Sequence, residues 1–337
     1  MPRLAAAHGR YAQIVAAGGW PRLDPAAAST AGEGAAAKTL QDRLAVEGYL
    51  AGAAAAASDR ELAAALAAFQ RAHGLAPDGV LGRESLAALN VPARERLAQI
   101  DANLERWRWL PHALPTDRLE VDVGAAQATL YRQGRVALEM RGIVGDPRHW
   151  TPLFVSRIEA IIVNPPWRVP TSIAAREILP RVRRDPGYLA RNGFVITSRR
   201  LVQRPGPKNS LGVLKFDLTS PFGVYLHDTP SKSLFARADR ALSHGCMRLE
   251  KPRELALLLL DDERGAGGLD AAIASGRTRR IALRRPTPLY VMYWTATANP
   301  SGVVAFRRDA YGWDAALNAA LDGRPTAPAA TGGGCRG

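Results

Sequence analysis

Cysteine is nearly absent from this chain, with two in 337 residues, Cys246 and Cys335. That excludes a disulfide-built scaffold and a zinc module made from paired cysteines. Cys335 follows Gly332-Gly333-Gly334 in a tail too flexible to hold geometry, so Cys246 is expected to work as a thiol. Lysine is scarce as well, 5 against 40 arginines, and the net charge is +14. This balance suits an anionic partner, yet the arginines lie in short scattered clusters (181–184, 199–200, 277–280, 284–285) without interleaved aromatics. No nucleic-acid module is expected from that pattern. No apolar run reaches the roughly 18–20 residues of a membrane span, so no stable span is expected. The start Met1-Pro2-Arg3-Leu4 shows no basic region, apolar core and cleavage site. An export signal is therefore not visible in the sequence, which leaves cytoplasmic residence or a leader missing from it.

The composition that is present, 47% hydrophobic over this length, supports two or three domains. Residues 1–37 read as a short helix to Ala17, a Gly18-Gly19-Trp20-Pro21 turn and an Ala/Gly-rich linker. Between 38 and 91 three small helices are predicted. The first carries Leu40, Leu44 and Val46. The second opens on a capping box, Ser58 to Glu61, and closes at His73-Gly74. A turn at Pro77–Val80 precedes the third, Gly82–Leu89. Residues 94–109 repeat an amphipathic pattern through Leu97, Ile100, Leu104 and Trp107, and the pair Trp107/Trp109 reads as core.

From Leu119 the period becomes that of strands, expected at 118–123, 127–132, 135–143, 154–163, 194–203, 211–217, 222–227, 279–284 and 288–295. Gln133-Gly134 reads as a tight hairpin. A Pro- and Arg-rich helical stretch at 165–192 is long enough to form a lid over a cleft. Helices are expected at 231–239, 252–262, 267–275 and 312–322, with a strand at 301–307 and a disordered end.

Two of six histidines accompany Cys246. Ser243-His244-Gly245-Cys246-Met247-Arg248 leads toward a helix near Pro252, and His227 closes a strand sixteen residues before Ser243. An imidazole that removes a thiol proton leaves a thiolate–imidazolium pair, the usual form of a cysteine nucleophile. Glycine beside the nucleophile permits a sharp turn, and the amides of Gly245 and Cys246 could face an oxyanion. Asp228, through its backbone carbonyl or its carboxylate, is the nearest orienter for His227. Arg248 suits a substrate carboxylate. Two other readings stand at this point: an inert buried cysteine, and a zinc site of His227, His244 and Cys246.

Two resemblances extend this reading. Leu40-Gln41, Gly48-Tyr49-Leu50, Phe69-Gln70, Gly74-Leu75 and Asp78-Gly79-Val80-Leu81-Gly82, in that order, resemble the three-helix peptidoglycan-binding module. His227, fifteen residues, Ser243-His244-Gly245-Cys246, one residue and Arg248 resemble the signature of the L,D-transpeptidase catalytic domain, the YkuD family. Ile143-Val144-Gly145, Val163–Pro170, Gln203–Asn209 and His227–Pro230 extend the match to its large periplasmic Gram-negative branch.

The resemblance implies an α+β chain. Helical scaffold segments are expected at 1–37 and 92–115, the peptidoglycan-binding domain at 38–91, the β-rich catalytic domain with its lid at 116–323, and a disordered tail at 324–337. It implies that Cys246 attacks the bond between the third residue, diaminopimelate, and the fourth, D-Ala, of a stem peptide, with His227 as base. A neighbouring stem's amine then resolves the thioester in a 3→3 cross-link. Positions Ser243, His244, Gly245 and Arg248 shape the oxyanion and substrate pocket, and Tyr225 and Trp167 are further substrate-binding candidates. Acylation by carbapenems is implied, as is a periplasmic location, with no cofactor or metal. Stem peptides and glycan are the partners. The alternatives are an envelope protein or water as acceptor, or a wall-binding protein without catalysis.

Overall fold

The computed structural model describes residues 2–24, 34–50, 57–198, 200–261 and 265–324. The tail expected beyond Arg324, Cys335 included, and most of the expected linker lie outside the described residues. Two compact units divide the chain: residues up to His112 together with those from Tyr293, and residues Ala113–Met292.

Helices α1 (Pro2–Ala16), α2 (Gly34–Val46), α3 (Asp59–Ala72), α4 (Arg83–Leu89) and α5 (Ala93–Arg108) open the first unit. Leu40, Leu44, Leu62, Leu66, Phe69, Leu86 and Leu89 form one apolar cluster. Each recurs at helical spacing, which is why these short helices hold together only by packing. Ser58 caps α3: its hydroxyl accepts from Glu61 N–H at 3.4 Å, and the Glu61 carboxylate accepts from Ser58 N–H at 2.9 Å. Buried Gln70 fixes the following turn. Its amide donates to Asp78 Oδ1 (2.8 Å), the Val80 carbonyl (2.9 Å) and Ser85 Oγ (2.9 Å), and its carbonyl accepts from Gly79 N–H at 2.8 Å. Gly79 sits at φ +71°, and a Cβ there would lie 2.8 Å from the Ala63 carbonyl oxygen, so the Phe-Gln and Asp-Gly-Val elements are one interlocked turn. Trp107 stacks on Trp294 at 4.7 Å, whereas Trp109 is exposed, so the expected aromatic core pair holds for one ring only.

The second unit begins with β1 (Arg118–Asp122), β2 (Gln127–Arg132), β3 (Arg135–Gly145) and β4 (Phe154–Val163). Gln133 (φ +51°) and Gly134 (φ +76°) make the two-residue turn between β2 and β3. An insertion follows: β5 (Trp167–Arg168), α6 (Thr171–Ile173), a π-helical turn at Ala174–Ile178, α7 (Leu179–Arg184), α8 (Tyr188–Arg191), β6 (Phe194–Thr197) and β7 (Arg200–Gln203). Then come β8 (Leu214–Leu218), β9 (Leu226–His227), a 3-10 turn at Lys232–Ala236, β10 (Ala241–Ser243), β11 (Met247–Leu249), α9 (Pro252–Leu260), α10 (Gly265–Ala274) and β12 (Arg279–Met292). The sheet order is β10-β3-β11-β9-β8-β4-β12-β1-β2. Because β2 also pairs with β3, the sheet closes on itself. Closure leaves no open edge apart from β10, which continues the edge of β3 beyond β2.

After Met292 the chain returns to the first unit as β13 (Ala296–Ala298), β14 (Val304–Phe306) and α11 (Trp313–Leu321). Ala296, Val304 and Phe306 pack with Leu4, Ala7, Tyr11 and Ile100. The β unit therefore ends at Met292, whereas the catalytic domain was expected to reach 323.

Several elements differ from expectation for local reasons. The strands expected at 279–284 and 288–295 are one strand, β12, whose register breaks between Ala282 and Thr287; Arg284-Arg285-Pro286 interrupts the alternation as a bulge would. The strand expected at 194–203 is the antiparallel pair β6 and β7. These join β5 in a separate three-stranded sheet, so the insertion runs on past 192. It has its own core of Val169, Ile173, Ile178 and Phe194. The helix expected at 231–239 is a 3-10 turn, and β10 and β11 are too short to show any alternation.

Candidate active site

Strands β9 and β11 pair in parallel, with Leu226 opposite Met247 and His227 opposite Arg248. The pairing brings together two segments far apart in sequence. Cys246 immediately precedes β11, in a turn between two short strands, and the helix expected near Pro252 begins there, after β11.

The turn is clamped from two sides. Ser243 Oγ donates to the Cys246 carbonyl at 2.5 Å and accepts from Gly245 N–H at 3.1 Å. Thr151 Oγ1 donates to the Gly245 carbonyl and accepts from Gly145 N–H, both at 2.9 Å. Gly245 sits at φ +104°, in the region that glycine adopts without strain. A Cβ on Gly145 would lie 2.0 Å from the His149 carbonyl oxygen, so only glycine lets the 146–151 loop return onto the turn. The Gly245 amide nominated for an oxyanion is thus held by Ser243.

His227 is buried, and its Nδ1 lies 2.5 Å from the Asp228 carbonyl oxygen. A carbonyl can only accept, so Nδ1 carries the hydrogen and Nε2 keeps its lone pair. The Asp228 carboxylate turns elsewhere, accepting from Val213 N–H at 3.0 Å and from Lys232 Nζ at 2.6 Å. Gly212 makes room for it, since a Cβ there would lie 2.2 Å from Asp228 Oδ2. Burial, and then the positive charge of Arg248, push the His227 pKa down to about 3. Both causes favour the neutral ring.

Cys246 is buried and lies outside any disulfide among the described residues. Trp167, Tyr225, His227, Ser243, His244, Cys246 and Arg248 line one cavity of about 220 Å³. Asp228 and Gly245 stand behind that wall as supports. The insertion adds Glu177, Arg181 and Tyr188 to the lining, and the loop after β7 adds Lys208. Sequence reading did not nominate these four; the cationic character of the stretch was visible, but not which side chains face inward. His244 Nε2 lies 2.6 Å from Glu177 Oε1, and its ring sits 4.8 Å from that of His149. Among the described residues no three His, Cys, Asp or Glu side chains converge as a metal-binding group.

Fold and cavity together define a two-module α+β protein, with a small helical module and a closed β unit built around a thiol-containing cleft. Residues 116–264 match YkuD, the L,D-transpeptidase catalytic domain, and residues 33–89 match "Putative peptidoglycan binding domain". The YkuD match thus covers the stretch of the second unit that holds both His227 and Cys246. A Haemophilus influenzae protein named "Putative L,D-transpeptidase" is 31% identical over 242 residues, 65% of this chain and 48% of the relative. The chain therefore spans about half the length of that curated relative. Among solved structures, an L,D-transpeptidase from Mycobacterium smegmatis aligns at 16% identity and TM-score 0.30 over 52% of this chain and 58% of the other. The catalytic domain of E. faecium L,D-transpeptidase acylated by ertapenem aligns at 16% identity and TM-score 0.28, over 53% and 99%. No helix among the described residues is long and apolar enough to cross a membrane.

Proposed function

We propose that this chain is a cysteine acyltransferase of the cell envelope that forms 3→3 cross-links between peptidoglycan stems. The observation that carries the reading is the opening of His227, on β9, and Cys246, in the turn before its partner strand β11, onto one cavity. In the first step His227 Nε2 takes the thiol proton as Cys246 Sγ attacks the carbonyl of the third stem residue. The bond to D-Ala breaks, and His227 returns its proton to the leaving amine. In the second step the side-chain amine of a neighbouring stem attacks the thioester. His227 takes a proton from it, the C–S bond breaks, and the thiolate recovers that proton. Negative charge developing on the carbonyl oxygen lies in a cavity whose wall carries Arg181, Lys208 and Arg248. Those cations also suit the free carboxylates of stem peptides.

The 33–89 match supports the wall as the place of work. Disaccharide-tetrapeptides incubated with the full chain should yield 3→3 dimers by mass spectrometry, and Cys246→Ala should yield none while keeping its circular dichroism spectrum. Dimers formed at full rate by Cys246→Ala would sink this reading.

A further inference from the structure

The cavity wall carries three cationic side chains and a single carboxylate among the described residues, that of Glu177. Glu177 comes from the insertion, and its partner His244 stands two residues before Cys246. It lies on the π-helical turn Ala174–Ile178, which breaks the ordinary spacing within the helical run. Such turns recur where a helix must redirect side chains toward a site. Arg181, one turn further on, donates to the Tyr188 hydroxyl at 3.0 Å and lends Glu177 its positive charge, while the direct side-chain contact of Glu177 is to His244 Nε2 at 2.6 Å. Both members of that pair are about a third exposed, at 32% and 37%, so an incoming group can reach them.

We propose that Glu177 is a positioning residue for the acceptor: it receives the ammonium of the incoming amine in exchange for His244 and thereby favours amine over water at the thioester. The inference rests on the acyl-enzyme of the proposed function and addresses how its second substrate is chosen. An ammonium presents three donors and a full charge, so it competes well with the imidazole of His244 for the Glu177 carboxylate. Arg181 and Lys208 on the same wall suit the carboxylate of an amino-acid head group that carries such an amine. The balance of protons is simple. The ammonium sheds one proton to solvent to become a nucleophile, and His227 takes a second as the C–N bond forms and the C–S bond breaks. The thiolate then takes that proton from His227.

The test reads the partition of the acyl-enzyme, so the amount of acyl-enzyme cancels. The full chain and its E177Q and E177D forms are given a tetrapeptide donor, with either a second stem peptide or hydroxylamine as acceptor. Mass spectrometry reports the ratio of aminolysis to hydrolysis. Hydroxylamine is uncharged near neutrality and gives a carboxylate nothing to hold. The expected result is a loss of about tenfold in the ratio for the stem acceptor in E177Q, partial recovery in E177D, and a change under about twofold with hydroxylamine. An unchanged ratio for the stem acceptor overturns the proposal. So does an equal loss with both acceptors, which would mark Glu177 as a structural latch. If the unaltered chain forms no acyl-enzyme, the proposed function itself falls and this inference with it.

Discussion

The Nδ1–H of His227 donates to the backbone carbonyl of Asp228, and the Asp228 carboxylate points the other way, to Val213 and Lys232. Asp228 thus orients the imidazole through an atom that no side-chain substitution removes. Asp228→Asn should keep at least about a tenth of the transfer rate, while His227→Gln should lose roughly 10²–10⁴-fold. Steady-state rates of both variants check this. An Asp228→Asn enzyme as inactive as His227→Gln would place the carboxylate in the orienting role.

Acid should destabilise the fold through its buried histidines. Burial holds His227 well below the ordinary histidine pKa of 6.5, at about 3, and also depresses His73. Between those values the unfolded chain binds the proton and the folded chain does not. Stability contributed by the neutral ring is therefore full above about pH 6.5 and lost as pH falls toward 3. The slope approaches about 1.4 kcal/mol per pH unit for each such group. Denaturant unfolding at several pH values should show a shallower dependence for His227→Gln than for the parent chain. Parallel curves would contradict it.

The first unit depends on an ion pair with no solvent contact. Arg43 Nη1 and Glu47 Oε2 lie 2.6 Å apart at 0% exposure, Tyr11 donates to Glu47 Oε1 at 2.7 Å, and Arg43 covers the Trp20 ring at 3.7 Å. Glu47→Ala leaves the guanidinium buried without its counter-charge, at a cost of about 3–5 kcal/mol. Thermal or chemical unfolding measures that loss, and a change under about 1 kcal/mol would show that water reaches the site.

What sequence made legible was local. The Ser58–Glu61 cap, the Gln133-Gly134 turn and the stop at His73-Gly74 depend on residues a few positions apart, and each appears where its chemistry places it. Ser243–Arg248 and His227 were legible as chemistry because cysteine and histidine are scarce here. Closure of the sheet was not, since β2–β3 and β9–β11 contacts depend on register between distant segments. Thr151 and Gly145 clamp the Cys246 turn from nearly a hundred residues away, and no spacing signals that. Glu177 stayed hidden because a π-helical turn breaks the helical spacing by which a reader assigns faces.

The central claim is that Cys246 is the acylated nucleophile. Intact-mass spectrometry after incubation with a carbapenem tests it most directly. Attack on the β-lactam carbonyl opens the ring and loses no atoms. The account therefore predicts one added reagent mass per chain, located on the peptide that contains Cys246 and absent from Cys246→Ala. An unmodified chain, or an adduct on Cys335 that persists in Cys246→Ala, would contradict it.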